Sequence, residues 1–226
     1  MDILSQILSA KTKDGGKLYL AGLKMIDSQK AQSIENSILQ CLKCQGLAKN
    51  ALQVDNKEVG LSYSYPQSTP IHTMFVAESP PAPGKGFFYD LKSHNTRFRD
   101  KLFRLINTAG LGRVNSIKDF NDKGYYLADA LNCRWDKSQK SSLSSKVFQN
   151  CSVHLARQIE LFKPRYIVAM GRSAQKSLGF DEPTKIIRSL AIPRQNIIEM
   201  SFILVAPNET DGQRINKLST ISSNHS

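Results

Sequence analysis

Short β-rich runs alternate with segments of helical spacing through most of the chain. Four runs enriched in β-branched and aromatic residues predict strands, at 71–77, 125–131, 165–170 and 196–205. Apolar residues at intervals of three and four predict helices over 29–39, 98–106 and 143–162, and Gly171 opens another helix. Because long helical segments separate the strands, we predict an α/β fold with a mostly parallel sheet. Functional side chains of such folds lie in the loops at the carboxyl ends of the strands.

The length of 226 residues suits one such domain with a buried core. We expect residues 1–32 to form an N-terminal extension, 33–218 the α/β domain, and 219–226 a polar, frayed tail. No apolar stretch approaches the ~20 residues that span a bilayer, and the N-terminus lacks the basic start and apolar core of a signal peptide. We therefore expect a cytoplasmic, monomeric protein with no membrane partner.

The basic excess of the chain is concentrated in one segment. There are 31 Lys and Arg residues against 19 Asp and Glu, a net charge of +12, which is typical of proteins that bind a polyanion. Between residues 85 and 118 two acidic residues, Asp90 and Asp100, stand against a larger basic set: Lys85, Lys92, Arg97, Arg99, Lys101, Arg104, Arg113 and Lys118. A solvated helix face would give the same pattern, so the run alone does not establish nucleic-acid binding.

The cysteines form a close pair and a later, wider pair. Cys41 and Cys44 are separated by two residues, and Cys133 and Cys151 complete the set of four. The arrangement predicts one metal site, for which four thiolates allow zinc as well as iron. Disulfides are the alternative, disfavoured because the composition looks intracellular and a domain of this size does not need cross-links.

The order of these features resembles the uracil-DNA glycosylase superfamily, especially its iron–sulfur family 4 branch, from about Cys41 to Arg214. The segment 151–171, followed by Ala174 and Leu178, is closely similar to the family's helix–strand–Gly segment. The resemblance implies a three-layer α/β/α fold with a central, mostly parallel four-stranded sheet. It also implies a structural [4Fe–4S] cluster, with zinc as the alternative, held by the cysteines: Cys41, Cys44, Cys133 and Cys151.

The first active-site motif of that family is similar to segments 77–81 and 86–89. The resemblance implies a catalytic Glu78, whose carboxylate would orient a water or stabilise positive charge on the sugar. It also implies that Phe87 stacks on an extruded base and that Phe88 or Tyr89 shapes the pocket. The alternatives are that Glu78 bonds neighbouring backbone N–H groups and that the aromatic rings are ordinary core residues.

Asp129 is the most discriminating departure from the family pattern, which places an asparagine four residues before the cysteine equivalent to Cys133. An amide accepts from uracil N3–H and donates to O4, whereas a carboxylate only accepts and favours an exocyclic amine. A cytosine-type or modified cytosine base is therefore the predicted substrate, although a protonated Asp129 would recover one donor. The alternative is a structural Asp129 in an inactive site. Asn132 is not a simple replacement, because three residues along a strand it faces the opposite side.

A second departure replaces the family's His-Pro element with Ala206-Pro207. Asn208 or Arg214 would then donate to the leaving base, and the predicted loop 210–214 would fill the gap in the DNA; Asn208 is equally suited to a turn. The predicted DNA contacts are basic residues: Lys85, Arg97, Arg99, Arg172 and Arg214.

These features together predict a DNA glycosylase that flips out a base and hydrolyses its bond to the sugar, leaving an abasic site. Either repair or defence against phage with modified DNA would use this reaction. The alternatives are a catalytically inactive DNA-binding member of the same fold and an ordinary uracil-DNA glycosylase. Release of a free base from DNA distinguishes an enzyme from a binding protein.

Overall fold

The computed structural model describes residues 27–41, 43–44, 52–53, 70–81, 88–89, 97–135, 145–178, 193–200 and 210–223. The strands are β1 (Leu52–Gln53), β2 (Thr73–Ala77), β3 (Tyr125–Asp129), β4 (Arg134–Trp135), β5 (Tyr166–Met170) and β6 (Ile197–Met200). The helices are α1 (Ser28–Leu39), α2 (Arg97–Thr108), α3 (Ile117–Asp122), α4 (Ser145–Phe162), α5 (Arg172–Ser177) and α6 (Asp211–Ser223), and a 3₁₀ turn covers Arg194–Asn196.

The central sheet has the strand order β3-β2-β5-β6 and is parallel throughout. Every residue of β2 and β5 is buried, as expected for inner strands covered by helices on both faces. The strands β1 and β4 form a separate antiparallel pair. The predicted α/β fold with a parallel four-stranded sheet is therefore confirmed.

Chain direction explains the layers of helices. The connection from β2 to β3 runs one way along the sheet, and the connection from β3 to β5 runs back, so right-handed crossovers place α2 and α4 on opposite faces. Helix α2 packs against α6, whereas α4 packs against α1 and α5. The connections from the neighbouring strands β2 and β5 leave in opposite directions, which opens a crevice at the carboxyl ends of these strands.

Helix α3 was not predicted, and it completes an aromatic core. Its N-cap Ser116 accepts a hydrogen bond from the backbone N–H of Asp119 at 3.0 Å. The helix thereby brings the fully buried Phe120 against Phe75, with ring centroids 5.9 Å apart, and against Phe88, at 5.2 Å. Such ring pairs contribute about 0.5–1.5 kcal/mol each beyond the area that they bury.

The first and last described helices both extend across the predicted boundaries of the domain. Helix α1 crosses the predicted boundary at residue 33, because Asp27 caps its N-terminus by accepting from the N–H groups of Gln29 and Lys30, both at 3.1 Å. At the other end, α6 continues to Ser223, so the tail predicted from Ser219 is helical over its first half. Leu218 and Ile221 hold this helix against the core.

The prediction of a loop over 210–214 is wrong, because helix α6 begins at Asp211. Thr210 and Gln213 form a reciprocal cap. The Thr210 N–H donates to Gln213 Oε1 at 2.8 Å, and the Gln213 N–H donates to Thr210 Oγ1 at 3.2 Å. Among the described helices, none is long and apolar enough to cross a membrane.

Candidate active site

Glu78 and Asp129 lie at the ends of adjacent strands, at the carboxyl edge of the sheet. Asp129 is the last residue of β3 and pairs in register with Ala77, the last residue of β2, which Glu78 follows directly. The ladder continues beyond the strands, because Ala130 N donates to Ala77 O and Leu131 N donates to Glu78 O, both at 2.9 Å. Both carboxylates are half-buried. Backbone bonds therefore fix the two predicted catalytic residues as neighbours, next to the crevice between β2 and β5.

Near neutral pH, Asp129 is present in both its protonated and its ionised form. Burial raises the pKa of Asp129 to about 7, and the negative charge of Glu78 acts in the same direction. At neutral pH this side chain is therefore partly a hydrogen-bond donor. A protonated Asp129 was noted from the sequence only as a possibility, since burial and the neighbouring charge depend on the fold.

Tyr89 and Phe88 lie in the core beneath β3. The Tyr89 hydroxyl accepts from Leu127 N at 2.7 Å and donates to Leu127 O at 3.1 Å. Its ring stacks on Tyr126 with centroids 6.3 Å apart, and burial raises the pKa of Tyr89 well above its ordinary value. The Phe88 ring packs among other aromatic rings and is 5% exposed. These contacts match the core-packing alternative, and a base-binding role for either residue stays a prediction.

The predicted DNA-binding arginines have different environments. Arg97 and Arg172 are exposed, at the starts of α2 and α5. Arg99 is partly buried and donates to Phe88 O at 3.2 Å. The Arg214 side chain is only 3% exposed and pairs with Asp211, so it lies inside the protein rather than on the surface. The predicted residues Lys85, Phe87 and Asn208, and also Ala206, lie outside the described residues.

Asp211 forms ion pairs with three cations, of which Arg214 had been predicted to contact DNA. Its carboxylate lies 3.3 Å from Lys101 Nζ, 3.2 Å from Arg104 Nη2 and 2.7 Å from Arg214 Nη1. Although burial opposes it, hydrogen bonds from Lys101 and Arg214 hold the pKa of Asp211 below its ordinary value. The arrangement joins α2 to α6, so part of the basic segment serves the fold.

The cysteines come together from three parts of the chain. Cys41 and Cys44 follow α1, Cys133 follows β3, and Cys151 lies in α4, and all are free thiols. Burial raises the pKa of Cys133 to about 11 and the pKa of Cys151 to about 12, and the charges of the other cysteines add to both shifts. Cys44 and Cys151 share one buried cluster with Leu131. The four cysteines therefore form no disulfide in the structure, contrary to the disulfide alternative.

The donor chemistry of the four thiols fits a zinc or iron–sulfur site, but their side chains are not in coordination geometry. Among the described residues, no group of three or more His, Cys, Asp or Glu side chains is arranged to hold a metal ion. The electrostatic coupling of the thiols is nevertheless consistent with their proximity, because charges act over longer distances than the ~2.3 Å of a metal–sulfur bond.

Asn150, which the sequence did not single out, fastens the early cysteine pair to α4. Its Nδ2 donates to Lys43 O at 3.1 Å and to Cys44 Sγ at 3.6 Å. Asn132 contributes a backbone N–H that lowers the pKa of the Cys151 thiol against the effect of burial. Because β3 ends at Asp129, the strand argument about which side Asn132 faces was wrong. The only signal for either residue was its place next to a cysteine.

A comparison with protein-family models decides the family. Residues 65–215 match the model described as the uracil DNA glycosylase superfamily. The chain belongs to this superfamily. Members of the uracil DNA glycosylase superfamily are DNA glycosylases and act on DNA. A search of curated proteins found no match.

The match to the uracil DNA glycosylase superfamily contains the carboxylates Glu78 and Asp129 and the later cysteines. It begins after Cys41 and Cys44. The superfamily assignment made from the sequence is thus confirmed, whereas the iron–sulfur branch stays a prediction.

Proposed function

We propose that the protein is a DNA glycosylase that extrudes one base and hydrolyses its bond to deoxyribose, leaving an abasic site. The observation that carries this proposal is the pair of carboxylates, Glu78 and Asp129, fixed together at the carboxyl edge of the sheet in a chain of this superfamily. Ligands of open parallel sheets bind at this edge.

The two carboxylates have different parts in the proposed reaction. As the bond between sugar C1′ and the base breaks, positive charge develops on the sugar and the electron pair leaves with the base. Glu78 stabilises that charge, orients the attacking water and takes its proton. Asp129 contacts the base and reads its edge.

Asp129 also defines the proposed substrate class, a cytosine-type or modified cytosine base. A carboxyl oxygen accepts a hydrogen bond from an exocyclic amine, which cytosine carries where uracil carries a carbonyl oxygen. In the same proposal Phe87 stacks on the flipped base and Asn208 donates to it as it leaves. Removal of such a base would serve either repair or defence against phage with modified DNA.

We propose that exposed cations on the same edge hold the DNA backbone. Arg97 and Arg172 begin the helices α2 and α5, which start on the side of the sheet that carries Glu78 and Asp129. Lys85 belongs to the same predicted surface. Contacts of this kind to phosphates position DNA without reading its sequence. Arg99 and Arg214 support this surface from within.

The four cysteines are proposed to hold a [4Fe–4S] cluster, with zinc as the alternative. The ligands are Cys41, Cys44, Cys133 and Cys151. The group would act as a structural cross-link and would supply no chemistry to the hydrolysis. It would join the end of α1 to the segment after Asp129 and to α4, which supports β3 and its catalytic edge.

Base release is the experiment that tests the glycosylase proposal. Duplex and single-stranded DNAs that contain uracil, cytosine or modified cytosines are incubated with the protein, and released bases are identified by mass spectrometry. We expect release of a cytosine-type base, its loss in Asp129→Ala, and unchanged release in Asp122→Asn, an exposed acid on α3. Efficient release of uracil that Asp129→Ala leaves intact would return the enzyme to the ordinary uracil class.

Binding without release from any DNA would identify the second candidate, an inactive DNA-binding member. The observation in its favour is Ala206, which stands where the family pattern has a histidine.

A further inference from the structure

Backbone bonds of the sheet hold the segments that carry Glu78 and Asp129 next to each other. Two successive backbone bonds, from Ala130 to Ala77 and from Leu131 to Glu78, extend the β2–β3 ladder past both carboxylates. Ala77 is 5% exposed, so the segment that carries Glu78 is anchored in the core. The negative charge of Glu78 therefore acts on its neighbour Asp129 and disfavours the ionised form of that side chain.

We infer that Glu78 and Asp129 form a proton-sharing pair, in which neutral Asp129 reads the edge of the flipped base and supplies the proton with which that base departs. The inference rests on the proposed function and goes further, because it assigns the proton steps of the reaction and the protonation state in which Asp129 acts. Asp129 is thereby a general acid as well as a base-reading residue.

Among the described residues, Glu78 is the titratable group whose charge raises the pKa of Asp129. Asp129 in turn acts on the pKa of Tyr89. Glu78 approaches from the end of β2 and carries negative charge. Tyr89 approaches from the far side of β3, and it stays neutral where Asp129 titrates, since burial raises its pKa well above the ordinary value. Burial and the charge of Glu78 together raise the pKa of Asp129 to about 7. Glu78 is therefore the described side chain whose charge favours the neutral form of Asp129.

The neutral form matches a cytosine-type base at two points. Cytosine presents an amine donor at N4 beside an acceptor at N3. The carbonyl oxygen of neutral Asp129 accepts from N4–H, and its O–H donates to N3. An ionised Asp129 would satisfy only the amine and would set a lone pair against N3. Neutral Asp129 also matches the hydrogen-bonding edge of uracil, since it can accept from N3–H and donate to O4. Uracil N3 already carries a proton, however, so uracil cannot take the proton of Asp129 at N3 as it departs.

Glu78 and Asp129 together hold the same number of protons before and after the proposed reaction. As the bond between C1′ and N1 breaks, its electron pair goes to the base and the proton of Asp129 moves to N3. Water adds to C1′ and its proton moves to Glu78. The pair then holds one proton, as before, but on Glu78 instead of Asp129. Transfer between the two neighbours, directly or through one water, restores the starting state.

The first measurement needs no DNA. Side-chain carboxyl carbons of the holoprotein are titrated by ¹³C NMR, with Asp129→Asn identifying the Asp129 signal. We expect a midpoint near pH 7, and a fall of about one pH unit or more in Glu78→Gln, because a like charge has been removed. Asp122→Asn, which removes an exposed acid elsewhere, should leave the midpoint unchanged. An Asp129 midpoint that does not respond to Glu78→Gln would overturn the pair.

The second measurement is single-turnover release of a cytosine-type base across pH. Above the Asp129 midpoint the rate should fall about tenfold per pH unit, and in Glu78→Gln this decline should begin at lower pH. Asp129→Asn should lose at least about 100-fold in rate and the decline itself, because an amide cannot donate a proton. Release that does not vary with pH would overturn the general-acid role while leaving the glycosylase proposal intact. A coupled titration with no release from any DNA would instead reject the proposed function.

Discussion

The hydroxyl of Tyr89 closes the free edge of the central sheet by bonding both backbone groups of Leu127. It accepts from Leu127 N at 2.7 Å and donates to Leu127 O at 3.1 Å. Strand β3 is at the edge of the sheet that the described strands form, so no described strand pairs with these groups on that side. The Tyr89 hydroxyl thereby makes the two hydrogen bonds to Leu127 that a neighbouring strand would otherwise make. Leu127 lies two residues before Asp129.

We expect Tyr89→Phe to lower the free energy of unfolding by about 1–3 kcal/mol, because buried backbone groups lose their partner. Urea denaturation followed by circular dichroism measures the change. Tyr125→Phe is the matched control, since that half-buried hydroxyl donates only to Leu111 O and should cost less. Equal losses in the two variants would argue against the edge-closing role.

Metal analysis of anaerobically purified protein is expected to find about four irons per chain, held by the four cysteines. Cys133→Ala and Cys151→Ala should each lower the iron content and loosen the joint between α1 and α4. One zinc per chain without iron would contradict the cluster and support the zinc alternative.

Asn150→Ala should speed the loss of bound metal to a chelator by several-fold, because the bonds to Lys43 O and Cys44 Sγ disappear. The measurement is chelator-bound metal against time for the loaded protein. Gln149→Ala is the control, since this neighbouring side chain is exposed. Indistinguishable rates in the three proteins would show that Asn150 does not support the site.

Charge reversal tests whether Arg97 and Arg172 contact DNA as proposed. Arg97→Glu combined with Arg172→Glu is expected to weaken binding to DNAs of different sequence and to reduce the salt slope by about 2, one for each lost phosphate contact. Binding is measured by fluorescence anisotropy over a range of salt concentrations. Lys118→Glu, which reverses an exposed charge on α3, serves as the control. An unchanged slope in the double variant would identify Arg97 and Arg172 as solvated surface.

We expect His154 to make the free energy of unfolding fall as the solution becomes mildly acidic. Burial lowers the pKa of His154, and the charges of Lys43 and Arg157 lower it further. A depressed folded-state pKa means that the unfolded chain takes up the proton first, so stability falls as pH drops below about 6.5, the unfolded value. His154→Gln should flatten this dependence between about pH 7 and pH 5. Unfolding at matched metal content measures it, and an unaltered pH dependence would exclude His154 as the cause.

The sequence predicted the sheet well because its inner strands are buried on both faces. The run that forms β2 and the run that forms β5 are continuously apolar, and this signal does not depend on distant residues. The start of α6 was missed although its signal was present, because Thr210 and Gln213 have the spacing of a capping box. The polar residues around them suggested a loop instead.

The properties of the site depend on contacts that no local pattern contains. Leu127 and Tyr89 are 38 residues apart in the chain, and Asn150 and Cys44 are 106 apart. The raised pKa of Asp129 needs both its burial and the neighbouring Glu78, which the strand register brings together. Sequence chemistry identified Glu78, Tyr89 and Asp129 as candidates but not Asn150. The protonation and the partners of all four follow from the fold.

The bonds that frame the catalytic edge run between backbone atoms of residues 77, 78, 130 and 131. An exchange of the side chain at Glu78 or Asp129 therefore leaves the frame in place. With the role proposed for Asp129, a single codon change there would alter which base is excised without the chain having to refold around a new pocket. Substrate range in such a scaffold can diverge faster in evolution than its architecture.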